Sequence, residues 1–381
     1  MESLYHDAEH FAALSNLFQD PLSQEVFWAR LRYDANPSVD NALRLFELTG
    51  FLSQEEITFQ KTWKERFSRL HQKNKKIFLY GCGVGRAIAE LLLRENTDFW
   101  GFCDKNTERY ASGILGKPVL PPSYVLDHSN DCYVVITTMD YYLEIYHYLI
   151  ENGFPEEHIL PYFSKRGVSF SQLIEQQYFD FPEFYPANTA FIDAGCFNCQ
   201  TSILFSQWCG GSYSKIVAFE PDPRNYAHCT ALVQSLPIKR MDVIQAGLSN
   251  ASGVGSFSAN ATSSSFFVDT DNKTDMYGLG HMCGDIKRIR MIALDDISEE
   301  IKVGFIKMDI EGEEFRAVQG AQKTILRDKP LLAISVYHRR GDVLAITNYL
   351  HELVPEYHFW LRHYSPISLE TVLYAAHNRE E

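Results

Sequence analysis

At 381 residues, with 45% apolar and 14% aromatic side chains, the chain has material for a large core and for two domains plus extensions. Its formal charge of −14 argues against non-specific binding to nucleic acid or an anionic membrane. No apolar run approaches the ~20 residues of a membrane span, and the N-terminus Met1-Glu2-Ser3-Leu4-Tyr5-His6-Asp7 lacks a basic-then-apolar leader. Eight cysteines, several inside apolar strand patterns (Cys82, Cys103, Cys132), read as buried reduced thiols, so a cytoplasmic protein without membrane insertion is expected.

In chain order, Phe11, Leu14, Leu17 and Phe18 recur at helical spacing, Asp20-Pro21 breaks the run, and Val26, Phe27 and Leu31 resume it. The stretch Gln60 to Lys76 is helical and basic, the composition of a solvated face. Residues 1–73 are therefore read as a helical N-terminal extension with a packing role.

From residue 74 to 166 the pattern becomes strand, helix, strand. Ile77-Phe78-Leu79-Tyr80 leads into Gly81-Cys82-Gly83-Val84-Gly85, a helix is expected from Arg86, Phe99 to Cys103 forms the next strand, and Cys132 to Ile136 another. This is half of a doubly wound sheet. Gly81, Gly83 and Gly85 with Asp104 stand where a nucleotide-binding turn and its ribose acid would stand. The spacing is one residue short of the usual third glycine, so close packing of helix on strand is an equal reading.

Residues 167–381 hold a second α/β unit. Its strands are expected at Phe191 to Ala194, Ile216 to Glu220, Val243 to Ala246, Phe305 to Met308 and Leu331 to Val336, with Phe359 to Arg362 and Thr371 to Ala375 as a terminal antiparallel pair. Asp193-Ala194-Gly195 closes the first strand, and Glu220 closes the second 27 positions later. Parallel strands ending side by side put both acids on one rim of the sheet, where a glycine turn exposes backbone N–H groups and a strand-end carboxylate can accept both hydroxyls of a ribose.

The motifs Val217-Ala218-Phe219-Glu220-Pro221-Asp222-Pro223, Phe305-Ile306-Lys307-Met308-Asp309-Ile310-Glu311-Gly312, Trp360-Leu361-Arg362-His363 and Glu370-Thr371-Val372-Leu373-Tyr374, in that order, resemble the FkbM family of methyltransferases. The resemblance covers roughly the last half of the chain. It implies a class I methyltransferase fold, a seven-stranded Rossmann-like sheet, preceded here by the smaller Rossmann-like domain and the helices. It also implies S-adenosyl-L-methionine as cofactor and methyl transfer to oxygen, on a small-molecule or sugar-containing acceptor. By the same resemblance Asp193 and Gly195 border the methionine part of the cofactor, Glu220 takes its ribose, and Gln245, Ala246 and Gly247 border the adenine. Where the family's first loop usually carries another glycine, this chain has Cys199. A left-handed backbone there would cost a non-glycine residue roughly 1–2 kcal/mol, whereas a mere need for a small side chain would cost little.

For catalysis, Asp309 and Glu311 end the fourth strand and His338 the fifth. A histidine of near-neutral pKa is the easiest base, beside Asp309. Asp309 is equally suited to capping the following helix, whose first turn holds Glu311, Glu313 and Glu314. His338 equally reads as an exposed loop residue, Lys307 as a snorkelling stem, and Arg362 and His363 as either cleft or edge-strand residues. No metal is expected: acids two apart at a strand end point to opposite sides, and Cys196-x-x-Cys199 lacks a second such pair. The polar insertion Asn250 to Asp285 reads as a lid or a surface loop. Two competing classes stay open, an NAD-dependent oxidoreductase working through the Gly81 turn and a non-catalytic nucleotide-sugar-binding protein; homo-oligomerisation is open as well.

Overall fold

A computed structural model describes residues 2–163, 177–236, 238, 240–259, 266–267 and 285–378. The chain divides into two compact units, one of Met1–Leu31, Glu175–Arg362 and Leu369–Glu381, the other of Arg32–Ile174 and His363–Ser368. The helical first 73 residues thus contribute to both units, where an extension of its own was expected.

The smaller unit carries a five-stranded, fully parallel sheet of β1 (Lys76–Tyr80), β2 (Gly101–Cys103), β3 (Val119–Leu120), β4 (Cys132–Ile136) and β5 (Ile159–Leu160), in the order β3-β2-β1-β4-β5. Ile77, Phe78 and Leu79 are fully buried, as a parallel strand covered on both faces requires. The basic helix Gln54–Gln72 begins in a reciprocal Ser53/Glu56 capping box and is more than a solvated face. It buries Phe59, Trp63 and Phe67, and Trp63 stacks on Tyr162 with ring centroids 6.0 Å apart. His363, considered for the substrate cleft, is buried in this unit against Phe46.

The larger unit is built on seven strands, β6 (Thr189–Ala194), β7 (Tyr213–Phe219), β8 (Met241–Ile244), β13 (Val303–Met308), β14 (Leu331–Ser335), β15 (Tyr357–His363) and β16 (Thr371–His377), in the order β15-β16-β14-β13-β6-β7-β8. β16 runs antiparallel to its neighbour β14; β14-β13-β6-β7-β8 is parallel. This is the expected class I methyltransferase arrangement, and the chain order reverses between β6 and β13. Ligands of open α/β sheets sit at that point, outside the carboxyl ends of the strands. Between β8 and β13 a second small sheet is made by β9 (Gly247–Leu248), β10 (Gly253–Ala259), β11 (Phe266–Phe267) and β12 (Asp285–Ile292). The part of the expected lid at residues 260–265 and 268–284 lies outside the described residues.

The N-terminal helices of this unit pack at the sheet edge. Phe18 bridges to Phe359, the Gln19 N–H donates to the Phe359 carbonyl at 3.0 Å, and Arg362 donates to both oxygens of Asp20 at 3.3 and 2.7 Å. Arg362 is therefore committed to an edge ion pair.

At the switch point the strands come unusually close. Gly195 has φ +78°, and a Cβ there would overlap the Asp309 carbonyl oxygen. Gly195 makes room for protein backbone, where the sequence suggested room for a ligand. Gly195→Ala is expected to cost roughly 2–4 kcal/mol from overpacking and left-handed strain together. Denaturant unfolding of the purified chain measures it, and a loss below 0.5 kcal/mol is incompatible with this packing.

Candidate active site

Glu220 follows β7 directly, and Ala194 pairs with Phe219, so the turn after β6 and the acid after β7 stand side by side. The Glu220 carboxylate is buried and accepts the N–H of Phe197 at 3.0 Å and that of Asp222 at 2.8 Å, one on each oxygen. Oε1 also accepts from Asn225 Nδ2 at 3.5 Å, so the second lone pair left for a further donor is on Oε2. Burial pushes its carboxyl up to about 7, against the pull of the Asp222 N–H.

The loop between carries the strain the sequence left open. Cys199 has φ +63° and ψ 8°, a left-handed backbone that a side chain adopts only at a cost. Phe197, at φ +48°, is left-handed too. Of the three residues assigned to the adenine border, Gln245 is exposed while Ala246 and Gly247 are buried.

Asp193 does not line a cleft. It is fully buried, accepts from Ser202 Oγ at 2.7 Å and pairs with Lys307 Nζ at 3.1 Å. Lys307 is not a snorkelling stem either: it is 2% exposed, and its ammonium also donates to the carbonyls of Ala194 and Gly195 at 3.2 and 2.7 Å. Burial opposes its charge, but Asp193 and Asp309 overcome that and raise its pKa.

Beyond Lys307, the three catalytic candidates converge. Asp309 Oδ1 and Glu311 Oε2 both lie 3.5 Å from His338 Nε2, and Glu314 Oε1 lies 2.8 Å from His338 Nδ1. The expectation that Asp309 and Glu311 diverge fails because Glu311, at φ +57°, is left-handed and the chain is no longer extended there. Asp309 does not cap the next helix, Glu314–Gln319. Its two oxygens instead accept the hydroxyls of Tyr337 at 3.1 Å and Tyr178 at 2.8 Å. Glu314 accepts the Ile310 N–H at 2.8 Å.

The acids set the charges of the site. Burial opposes a charged imidazole, yet Glu314, Glu311 and Asp309 raise His338 to about 10, so it is a cation at neutral pH and no base. His338 does lie in the loop after β14, but at 7% exposure it is buried there. Burial would raise Asp309, but His338, Lys307 and the two tyrosine hydroxyls hold it below its ordinary value. Glu311, about a quarter exposed, is pushed up to about 8 by burial, with Asp309, Glu314 and Glu370 adding to the effect and His338 opposing it. Glu370 is likewise pushed up, to about 7, by burial and by Asp309.

Sequence reasoning missed Tyr178, Tyr337, Glu370 and Gln177. Gln177 Nε2 donates to Glu370 at 2.7 Å, and the Tyr178 N–H donates to the Tyr374 hydroxyl at 2.9 Å. Glu370 stood inside a quoted motif and Tyr337 beside a quoted histidine, whereas nothing near Gln177 and Tyr178 in the sequence announces them. Tyr178, Glu311 and Glu370 all have left-handed backbones, at φ +76°, +57° and +68°. Strain of this kind persists where surrounding structure enforces it, and it collects at functional sites.

In the smaller unit, the glycine run is not a loop. Its helix starts at Cys82 and spans Cys82–Arg94, so Gly83 and Gly85 lie in the first turn. Asp104 accepts the Cys82 N–H at 3.0 Å, capping the helix itself. A Cβ on Gly85 would come 2.7 Å from Thr137 Oγ1, so that glycine serves close packing.

Residues 197–359 match the family model described as Methyltransferase FkbM domain. Among solved structures, a methyltransferase FkbM from Methylobacillus flagellatus KT is 19% identical, covering 81% of this chain and 92% of its own at a TM-score of 0.46. An rRNA methylase from Streptococcus thermophilus is 14% identical, covering 53% and 93% at 0.34. A methyltransferase candidate of Streptococcus mutans in complex with SAH is 16% identical, covering 52% and 93% at 0.31. No curated protein matches.

Lys307→Met leaves Asp193 buried without its cation and is expected to cost about 3–5 kcal/mol. Adding Asp193→Leu should recover part of that loss. Chemical denaturation of both variants is the check, and a single-variant cost under 1 kcal/mol rules the pair out as a structural tie.

Proposed function

Because residues 197–359 form a methyltransferase domain of the FkbM family, with S-adenosyl-L-methionine as cofactor, we propose that the chain methylates a hydroxyl of a small, carbohydrate-like acceptor at the acidic rim around His338. The observation that carries this reading is the convergence of Asp309, Glu311 and Glu314 on one protonated histidine, beside the switch point where Gly195 meets the Asp309 carbonyl.

The cofactor supplies, when bound, a methyl group already activated on a sulfonium. Glu220 and the Gly195–Cys199 loop would hold it: a buried carboxylate with a lone pair free on Oε2, and only a long 3.5 Å contact from Asn225 as the second donor on Oε1, suits ribose hydroxyls. Glu311 is the proton acceptor. It is partly exposed, and its carboxylate is more basic than that of Asp309, which two tyrosines and His338 hold ionised. His338 does not exchange protons near neutrality. Its charge offsets the acids and keeps them close enough to act together.

A rim of carboxylates accepts hydrogen bonds from a polyhydroxylated acceptor and repels phosphate. The same charge pattern, with a chain total of −14, speaks against an RNA acceptor of the kind named for the Streptococcus thermophilus neighbour. Supplying labelled methyl donor with a panel of sugars and sugar-containing small molecules tests the class. Label in an alkali-stable methyl ether is expected; label only in RNA or in alkali-labile esters overturns the reading.

Two variants test the roles. Glu220→Ala should abolish cofactor binding in calorimetry, while His338→Ala should spare binding and slow turnover. Because hydroxyl donors need the ionised carboxylate and burial raises Glu220 to about 7, wild-type affinity is complete above that pH. It should weaken by about tenfold per unit below it. An affinity that stays flat from pH 5 to 8 removes Glu220 from the cofactor site.

Turnover under saturating substrates should rise with pH up to about 8 and then level, since Glu311 accepts a proton only once ionised. Glu311→Gln should lower kcat roughly 10²–10⁴-fold and erase that limb. A pH limb that survives the substitution assigns the proton to another group.

A further inference from the structure

The Cys196-x-x-Cys199 pair, for which the sequence offers no second Cys-x-x-Cys, acquires a third thiol through the fold. Cys229 lies on the helix Pro223–Ser235, far along the chain, and its Sγ sits 4.0 Å from that of Cys196. Cys199 Sγ is 3.8 Å from Cys196 Sγ, and all three sulfurs lie within 4.8 Å of one another. The three residues are 2%, 0% and 0% exposed, in the order Cys196, Cys199, Cys229.

The spacing decides what such a cluster is suited to. A disulfide needs sulfurs about 2.05 Å apart, so either measured pair would have to close by nearly 2 Å. Three sulfurs held about 2.3 Å from one tetrahedral ion lie about 3.75 Å apart, close to the 3.8 and 4.0 Å of the two pairs that share Cys196, with the third pair within 4.8 Å. The backbone is arranged to the same end. Cys199 keeps a left-handed conformation that glycine would adopt without cost, and its N–H closes a tight turn onto the Cys196 carbonyl at 2.6 Å. Phe197 between them is left-handed as well.

We propose that Cys196, Cys199 and Cys229 form a three-thiolate site for a thiophilic d¹⁰ metal ion, zinc(II) or its surrogate cadmium(II), within the larger unit. On binding, the three thiol protons pass to solvent buffer as three metal–sulfur bonds form, with no change of oxidation state. Among the described residues no fourth His, Cys, Asp or Glu ligand atom joins the cluster, which leaves one tetrahedral position for solvent. The ion would staple the turn after β6 to the helix after β7. Phe197 is the link to the neighbouring acid: its N–H donates to Glu220 and its carbonyl accepts from Cys229 Sγ at 3.1 Å. The site exists whether or not methyl transfer is to a sugar.

The test is a titration of the reduced, metal-free full chain with cadmium(II), read by the ultraviolet thiolate-to-metal charge-transfer band. Wild type should saturate at one ion per chain, and the melting temperature should rise with it. Cys229→Ser and Cys199→Gly should each weaken binding by more than the 10–100-fold that loss of an outer-shell partner costs. Cys209→Ser, a half-buried thiol bonded to the Ser206 carbonyl, should bind like wild type. Cys199→Gly keeps the test sound, because it deletes a thiol while restoring the residue that tolerates the left-handed position; its metal-free melting shows that it folds. No band in wild type, binding as tight as wild type in both cluster variants, or a disulfide within the trio in place of metal uptake overturns the proposal.

Discussion

One buried ammonium holds the working end of the larger unit together. Lys307 Nζ rises from β13, pairs with Asp193 on β6 and donates to the carbonyls at the end of that strand. A charge taken out of water is tolerated only when its neighbours replace hydration, and here three oxygens do so at once. The consequence is geometric. The turn after β6, which leads to the Phe197 N–H on Glu220, and the end of β13, which leads to Asp309, are fixed to the same atom. Gly195 completes the join by letting the Asp309 carbonyl approach where any Cβ would stand. The turn after β6 and the acid cluster are therefore positioned as a single body.

The acid cluster beyond it is organised by charge balance. Asp309, Glu311, Glu314 and Glu370 could not all sit near one another ionised without a cation, and His338 supplies it. The balance is unequal. Asp309 has two tyrosine hydroxyls on it and stays a weak base, while Glu311 has burial without such donors and becomes a stronger one. Three left-handed residues, Tyr178, Glu311 and Glu370, bring these groups inward, so the site is held by strain that the surrounding sheet enforces.

The smaller unit shows the same glycine logic with another outcome. Gly81 precedes a helix as in nucleotide-binding turns, but Asp104 caps that helix and Gly85 lets it lie against Thr137. A glycine pattern reports close approach of backbone, and whether the approaching partner is a phosphate or a strand depends on the fold around it.

By itself the sequence determined the architecture and the strand ends at which acids and glycines gather. Parallel buried strands are written as apolar runs and strand ends as acids and glycines, so the five-stranded and seven-stranded sheets and the places of Glu220, Asp309, Glu311 and His338 at or just beyond strand ends were legible from local pattern, whereas the four-stranded sheet was not. The roles were not. Whether Cys199 is strained, whether Asp193 faces a ligand or Lys307, whether His338 is base or cation, and whether a lone Cys-x-x-Cys has a third thiol all depend on residues distant in the chain. Only the tertiary structure decided them, because burial, charge and the left-handed backbone are properties of what packs around a residue and not of the residue or its spacing.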